Sequence, residues 1–375
     1  MANVVSGKIF ECTRKIEGNR RTMSISKEKI KNILTKTRLG RGLLAFKRVY
    51  RYDEYWKWLS DFYEHNIFKF QEFGPLNSDK VLYVINELKS GSGFFFSWLR
   101  TCRGLMVAER FGFIPIVDWS KGAYFDKNGL NGCMNPFEYF FEPISSISLT
   151  EAMQSKNVAF FDQHTDGSDF SLYEYHDDQV ENFSRINTKY LHIKSELYAQ
   201  ICKEIRNLLG EKRTLAVHVR GVEWGNVKGH PIPVSLEAYA EKIDFAINKY
   251  GYKQIFLATD SENTIDFFKL KYRDKIVFYN DVIRSKKNSK VLAIMDVNIK
   301  RKNNGFLLGC EVLKDMLTLS FCDGLVAGLS CVSFAADVFK RGRGESYIYK
   351  DYVDQKVCKK GIPSKMLGDR FKENM

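Results

Sequence analysis

Residues 215–221, LAVHVRG, decide the reading of the fold: an apolar run carries His218 and Arg220 to its end, and a glycine-rich loop follows before a helix opening near Ser235. In an open α/β sheet, ligands sit in the crevice beyond the carboxyl ends of the strands. Arg220 is therefore placed where an anion would be met. A guanidinium is always charged and offers a planar fork of donors that suits a phosphate better than the point charge of a lysine. In isolation the same arginine is equally a strand-end residue paired with a surface carboxylate, so its surroundings decide.

Outward from this stretch the second half alternates regularly. Strands are expected at 254–259, 275–279 and 324–328, and helices at 235–250, 262–272, 306–321 and 333–340. That is a doubly wound α/β pattern. Asp260 and Ser261 end the second strand, where a simple helix N-cap is the plain alternative. Asp315 falls on the apolar stripe Leu308, Val312, Met316, Leu319, and a carboxylate there is costly to bury without partners. Two adjacent donors, such as N1 and N2 of guanine, would satisfy it; so would a buried lysine or arginine. After GLVAG, residues Ser330, Cys331, Val332 and Ser333 open a helix, and the free N–H groups of a helix start can hold phosphate.

In the first half, VLYVINEL reads as a strand, KSGSG as a turn with Gly91 and Gly93, FFFSWLRTCRGLMVAERF as a helix and FIPIVDW as the next strand. Asp118 ends that strand at the functional edge of the sheet. The two glycines complete neither GxGxxG nor a P-loop. Between Ser120 and Thr214 the periodicity is poor and long loops with short helices are expected, closing with a helix from Lys194 to Leu209 that Gly210 ends.

The chain has 375 residues, 44% of them hydrophobic, enough for about two domains. No apolar run reaches the roughly 20 residues that span a bilayer, and a cytoplasmic protein is expected. The eight cysteines show no CxxC pair and the six histidines no HExxH spacing, so neither a disulfide framework nor a metal site is expected. Residues 1–48 hold thirteen Lys or Arg against Glu11, Glu17 and Glu28, most of the net charge of +13. Such an end is drawn to anionic surfaces or is simply solvated. Its basic residues follow no recognised nucleic-acid motif, and no nucleic-acid partner is expected.

At these residues the chain resembles the GDP-sugar fucosyltransferase superfamily, which includes α1,6-, α1,2- and protein O-fucosyltransferases and a nodulation fucosyltransferase. The likeness lies in the HxR strand end His218-Val219-Arg220 followed by Glu223, in Ala258-Thr259-Asp260, and in Asp315 ahead of Leu329-Ser330-Cys331-Val332-Ser333. The resemblance implies a GT-B-like fold of two Rossmann-type domains facing a cleft, and an inverting, metal-independent transferase that needs no cofactor beyond its GDP-sugar donor. By it Arg220 neutralises the leaving β-phosphate, His218 positions the nucleotide, Asp315 reads guanine, Asp260 and Ser261 shape the donor pocket, and residues 330–333 hold phosphate. Gly221 stands where the α1,6 enzymes have a second arginine. Glu223, His230 and Asp118 are candidates for the general base by position, with Glu223 carried as the catalytic choice.

The expected division is a basic segment 1–50, an acceptor-side α/β domain 51–210 with Gly91, Gly93 and Asp118 at its cleft, a donor domain 211–343 and a tail 344–375. The expected acceptor is a glycan or lipid-linked glycan, reached from the inner membrane face through residues 1–48. A different nucleotide sugar, or a non-catalytic nucleotide- or nucleic-acid-binding role, are the alternatives.

Overall fold

Short strands, with helical crossovers between successive parallel ones, build two sheets among the described residues. The computed structural model describes residues 68–86, 93–161, 177–220, 232, 234–286 and 300–353. The basic segment, the aromatic stretch 52–63, Gly91, Gly221, Glu223, His230 and the chain beyond 353 lie outside the described residues, so the expectations placed on them do too.

The first sheet holds β1 (Phe68–Gln71), β2 (Leu82–Asn86), β3 (Ile114–Asp118) and β4 (Val158–Phe161) in the order β1-β4-β2-β3. Helix α1 (Phe94–Phe111) makes the crossover between the parallel strands β2 and β3, the unit that the alternating pattern predicts. β4 adds in parallel to β2, and β1 closes the edge antiparallel to β4. Gly93 is the N-cap of α1 with φ −69°, and a Cβ there would meet nothing within 4 Å. The described structure therefore gives no steric reason for glycine at that position.

Helices α2 (Asp177–Tyr190) and α3 (Ser195–Leu209) lead to the second sheet. Gly210 ends α3 at φ 58° and returns its N–H to Arg206 O, a backbone region that favours glycine. The second sheet joins β5 (Thr214–Val219), β6 (Gln254–Thr259), β7 (Ile276–Val277), β8 (Gly324–Ala327) and β9 (Tyr349–Tyr352) in the order β7-β6-β5-β8-β9. Every pairing in it is parallel. The crossovers are α4 (Leu236–Tyr250), α5 (Glu262–Tyr272), α6 (Asn304–Phe321) and α7 (Cys331–Gly342). Going outward from β5, one run of strands lies on one side and the next on the other, the Rossmann order with its switch point between β5 and β8. All six residues of β5 and of β6 are buried, which is how a central parallel strand reads.

Two expectations change here. Residues 349–352 belong to the second sheet rather than to a tail, held by Lys350 Nζ on Asp337 Oδ2 at 2.6 Å and by Lys242 Nζ on Asp351 Oδ2 at 2.9 Å. Residues 177–190, in a region expected to hold long loops with short helices, form the 14-residue α2, which joins the two sheets into one compact unit from Phe68 onward. Trp98 of α1 donates its Nε1–H to Asn187 Oδ1 at 3.0 Å, and its ring packs among Phe183 of α2 and Phe334 and Phe339 of α7.

The start of α6 is fixed by the loop after β3. Asp126 accepts from the N–H groups of Gly305 and Phe306, both at 3.0 Å, so a carboxylate from elsewhere in the chain satisfies two donors that a helix start leaves without intrahelical partners. A Cβ on Gly305 would lie 2.3 Å from Tyr124 O. Asp126→Ala should therefore cost about 1–2 kcal/mol, read as a lower midpoint of urea unfolding, with Asp126→Asn retaining most of the stability.

Candidate functional site

Parallel register brings the ends of β5, β6 and β8 level, because Val219 pairs with Thr259 and His218 with Ala327. Arg220, Asp260 and the turn after β8 therefore share the carboxyl edge of the sheet. Arg220 is exposed there.

His218 is buried and points under the turn. Its Nδ1 lies 2.7 Å from Ser333 Oγ and 3.3 Å from Ser330 Oγ. Ser333 Oγ donates to Gly328 O at 2.8 Å, so its one proton is used, and the network assigns the imidazole proton to Nδ1 as donor toward Ser333. Nε2 is then left as an acceptor. Burial, helped by the positive charge of Arg220, pushes the histidine down to about 3, so it stays neutral and cannot act as a cation.

Ser330 is the N-cap of α7, its Oγ accepting from Ser333 N at 3.2 Å. Both serine hydroxyls are thus turned inward, which differs from the expectation that they meet phosphate. The N–H groups of Cys331 and Val332, in the first turn of α7, are the groups of that stretch that a helix start leaves free of intrahelical bonds. Burial pushes the Cys331 thiol up to about 11 against the pull of Arg220 and Arg103, so it remains a neutral thiol. Cys102, Cys133, Cys202, Cys310, Cys322 and Cys331 are all free. Among the described residues no group of three or more His, Cys, Asp or Glu could hold a metal ion.

At the end of β6 the chain is extended by a bridge to a later loop. Ser285 N donates to Asp260 O at 2.8 Å, Glu262 N to Ser285 O at 3.1 Å, and Ser285 Oγ also to Asp260 O at 2.9 Å. Ser261 holds the N-cap position of α5 without a side-chain cap bond. Here Asp260 and Ser261 act through their backbone, fastening the 280–285 loop to the sheet edge.

That loop faces Asp315 on α6. The side chain of Asp315 is buried and its Oδ1 has no hydrogen-bond partner. Burial pushes its carboxyl up to about 7, against the pull of Arg284 and Lys314 and with the push of Glu311 and Asp281. Its neighbours are otherwise engaged. Lys314 Nζ reaches Asp281 Oδ2 at 2.8 Å and Glu204 Oε2 at 3.0 Å, while Glu311 Oε1 takes Arg301 Nη1 at 2.6 Å. Of the alternative, a buried pair with a lysine or an arginine, the adjacent lysine is bonded elsewhere and Arg284 stands near in charge without a hydrogen bond to Oδ1. Asp118 lies away from this group on the first sheet, its Oδ1 accepting from Ser120 N at 2.9 Å in a local turn.

Arg284 is not legible in the sequence, because no pattern in NDVIRSK marks it. It is the foremost charged neighbour of Asp315, and its Nη2 is also buried without a partner.

The molecule is thus a two-sheet α/β protein whose second sheet has Rossmann strand order, with Asp315 Oδ1 and Arg284 Nη2 among its unsatisfied buried polar atoms. No family model matches the sequence, and no curated protein matches it either. Among solved structures, the chain is similar to the NodZ α-1,6-fucosyltransferase co-crystallized with GDP, at 16% identity, covering 68% of this chain and 91% of that one with a TM-score of 0.41. It is similar to the fucosyltransferase NodZ from Bradyrhizobium at 16% identity, covering 68% of this chain and 92% of that one, TM-score 0.40. For POFUT1 in complex with GDP the identity is 13%, the coverage 74% and 99%, and the TM-score 0.40.

The unpartnered carboxylate has a measurable cost. A carboxyl whose folded pKa stands near 7, against 3.8 for the ordinary value, binds its proton more tightly folded than unfolded, so it loses the fold stability as pH rises from about 4 to 7. Asp315→Asn should be close to wild type at pH 4 and more stable at pH 8 by roughly 1–3 kcal/mol. Thermal melting of both forms without ligand across that range checks the sign.

Proposed function

We propose that this chain is a glycosyltransferase that moves a sugar, fucose first among candidates, from a GDP donor to a glycan acceptor with inversion. The observation that carries the reading is the buried Asp315 carboxylate without a partner, on the same sheet edge as Arg220 and the neutral His218. A buried acceptor left unsatisfied in the free protein is a site built for donors that arrive with a ligand. Guanine presents two such donors side by side at N1 and N2.

The diphosphate then extends toward the middle of the sheet. The Cys331 and Val332 N–H groups and the positive end of α7 meet it, and His218 Nε2 accepts from a ribose hydroxyl. Arg220 lies where charge collects as the donor breaks. The acceptor hydroxyl attacks the anomeric carbon from the face opposite the diphosphate. The new C–O bond forms as the bond from that carbon to the β-phosphate oxygen breaks, and the electron pair leaves with GDP. Its negative charge is met by the Arg220 guanidinium, a donor already oriented before the reaction begins. The acceptor proton passes to a base, for which Glu223 is the candidate carried from the motif. The reading includes no cofactor, a lipid-linked or free glycan as acceptor, and a cytoplasmic protein resting on an anionic membrane face through residues 1–48. Among the described residues no helix is long and apolar enough to cross a membrane.

Arg220→Ala and Arg220→Lys should each lower donor turnover by at least about 100-fold with unchanged melting, measured as GDP released from GDP-fucose with and without acceptor. Wild-type turnover in either variant rejects the role. Among GDP, UDP, dTDP and CMP, only GDP should raise the melting temperature appreciably. Stabilisation by UDP or dTDP instead would assign the fold to another nucleotide sugar.

A further inference from the structure

Asp315 is half of an unsatisfied pair. Arg284 uses Nε on Thr259 O at 3.2 Å and Nη1 on Val282 O at 3.0 Å, and its guanidinium carbon lies 5.1 Å from the centre of the Phe278 ring. The loop carrying it is fastened at Ser285 to the end of β6 and at Ile283 N to Glu311 Oε2 at 3.3 Å. This leaves Nη2, buried and unpartnered, as the one buried nitrogen of the group without a bond. Asp315 and Arg284 are each the other's foremost charged neighbour, yet no hydrogen bond joins Nη2 to Oδ1.

An isolated buried charge pair normally closes, because each partner satisfies the other's desolvation. Here the arginine is anchored by two carbonyls and the carboxylate sits on α6, and no hydrogen bond joins them. One anchored donor and one acceptor left unsatisfied match a planar ligand edge that has an acceptor beside donors. Uracil offers one donor between two acceptors, which would set an acceptor against the second carboxylate oxygen. Guanine offers O6, N1–H and N2–H in sequence.

We infer that Arg284 is a specificity-determining residue that donates Nη2–H to the O6 carbonyl of a guanine whose N1–H and N2–H are taken by Asp315. The inference rests on the proposed guanosine diphosphate site. Arg284 also acts on Asp315 electrically. The charged and titratable groups around that carboxylate are Arg284 and Asp281 from the loop, Tyr279 ahead of it, and Lys314 and Glu311 from α6. With Lys314 bonded to Asp281 and Glu204, Arg284 is the cation that ligand binding brings into a shared network with Asp315.

Titration calorimetry of the full chain with GDP, IDP, 6-thio-GDP and UDP, from pH 5.5 to 8.5, tests this on wild type, Arg284→Gln and Arg284→Lys. Wild type should bind 6-thio-GDP about 10-fold more weakly than GDP, since sulfur is the poorer acceptor. Arg284→Gln should lose about 10- to 100-fold for GDP and for IDP alike, because both keep O6, and should show no further loss for the thio base. The pH below which GDP affinity falls should move upward in Arg284→Gln, a change that mere loosening of the loop would not produce. Arg284→Lys should recover part of the affinity. Unchanged GDP affinity and an unmoved pH profile in a folded Arg284→Gln overturn the role of Arg284 while the donor reading stands. Should that variant not fold, the wild-type comparison decides alone, and equal binding of GDP and 6-thio-GDP overturns it. A wild-type chain that binds no GDP removes both readings.

Discussion

A buried carboxylate oxygen and a buried guanidinium nitrogen, Asp315 Oδ1 and Arg284 Nη2, that neighbour each other in charge and share no hydrogen bond are the constraint on which the carboxyl edge of the second sheet turns. Closing such a pair is the ordinary way to offset the loss of hydration. In this chain the neighbouring cations that could relieve Asp315 are bonded elsewhere. Lys314 holds Asp281 and Glu204, and two arms of Arg284 hold the carbonyls of Thr259 and Val282. The fold thereby leaves a buried acceptor and a buried donor unsatisfied side by side. Anchoring of the guanidinium keeps them so, because a donor free to swing would satisfy the acceptor itself.

Burial acts on the two ionisable groups of this edge in opposite senses, and both become less charged. His218 goes down to about 3 and Asp315 up to about 7. For the histidine this is complete: a neutral ring with its proton committed to Ser333 can only accept at Nε2. For the aspartate it is partial, since an ionised form is accessible near neutral pH and is favoured once donors arrive. Arg220 carries its guanidinium charge at the exposed rim, at the end of the central strand.

Much of this architecture is readable from residue pattern. The helix 94–111 and the strands beside it follow from an apolar run, a glycine turn and an apolar-aromatic face, and β5 and β6 from unbroken hydrophobic runs. β9 is not readable, because Tyr349–Tyr352 sets two charged residues between two rings and joins the sheet through ion pairs to α4 and α7 that no local pattern announces. α2 is within reach of the pattern: Val180, Phe183 and Ile186 recur three apart behind an acidic first turn, but the preceding acidic run masks the period. In the site, backbone placement of Arg220, His218 and Asp315 is legible, whereas side-chain direction is not. The serines of the turn face inward because one of them caps the helix and the other bonds a carbonyl, and Arg284 stands in a polar loop whose tertiary clamp, rather than its composition, makes it significant.

Strand order is what would let one ligand, as proposed, reach groups along the whole of this edge. β5 is central, with β6 on one side and β8 on the other, so Arg284, anchored on the end of β6, and the start of α7, which follows β8, are separated by about two strand spacings, on the order of 10 Å. Arg220 leaves the strand between them. On the proposed reading, a ligand lying across that edge would meet Asp315 and Arg284 over β6, the Arg220 cation over β5 and the first N–H groups of α7 beyond β8. All of these stand at one edge because every pairing in the sheet is parallel, which brings the carboxyl ends of the strands together.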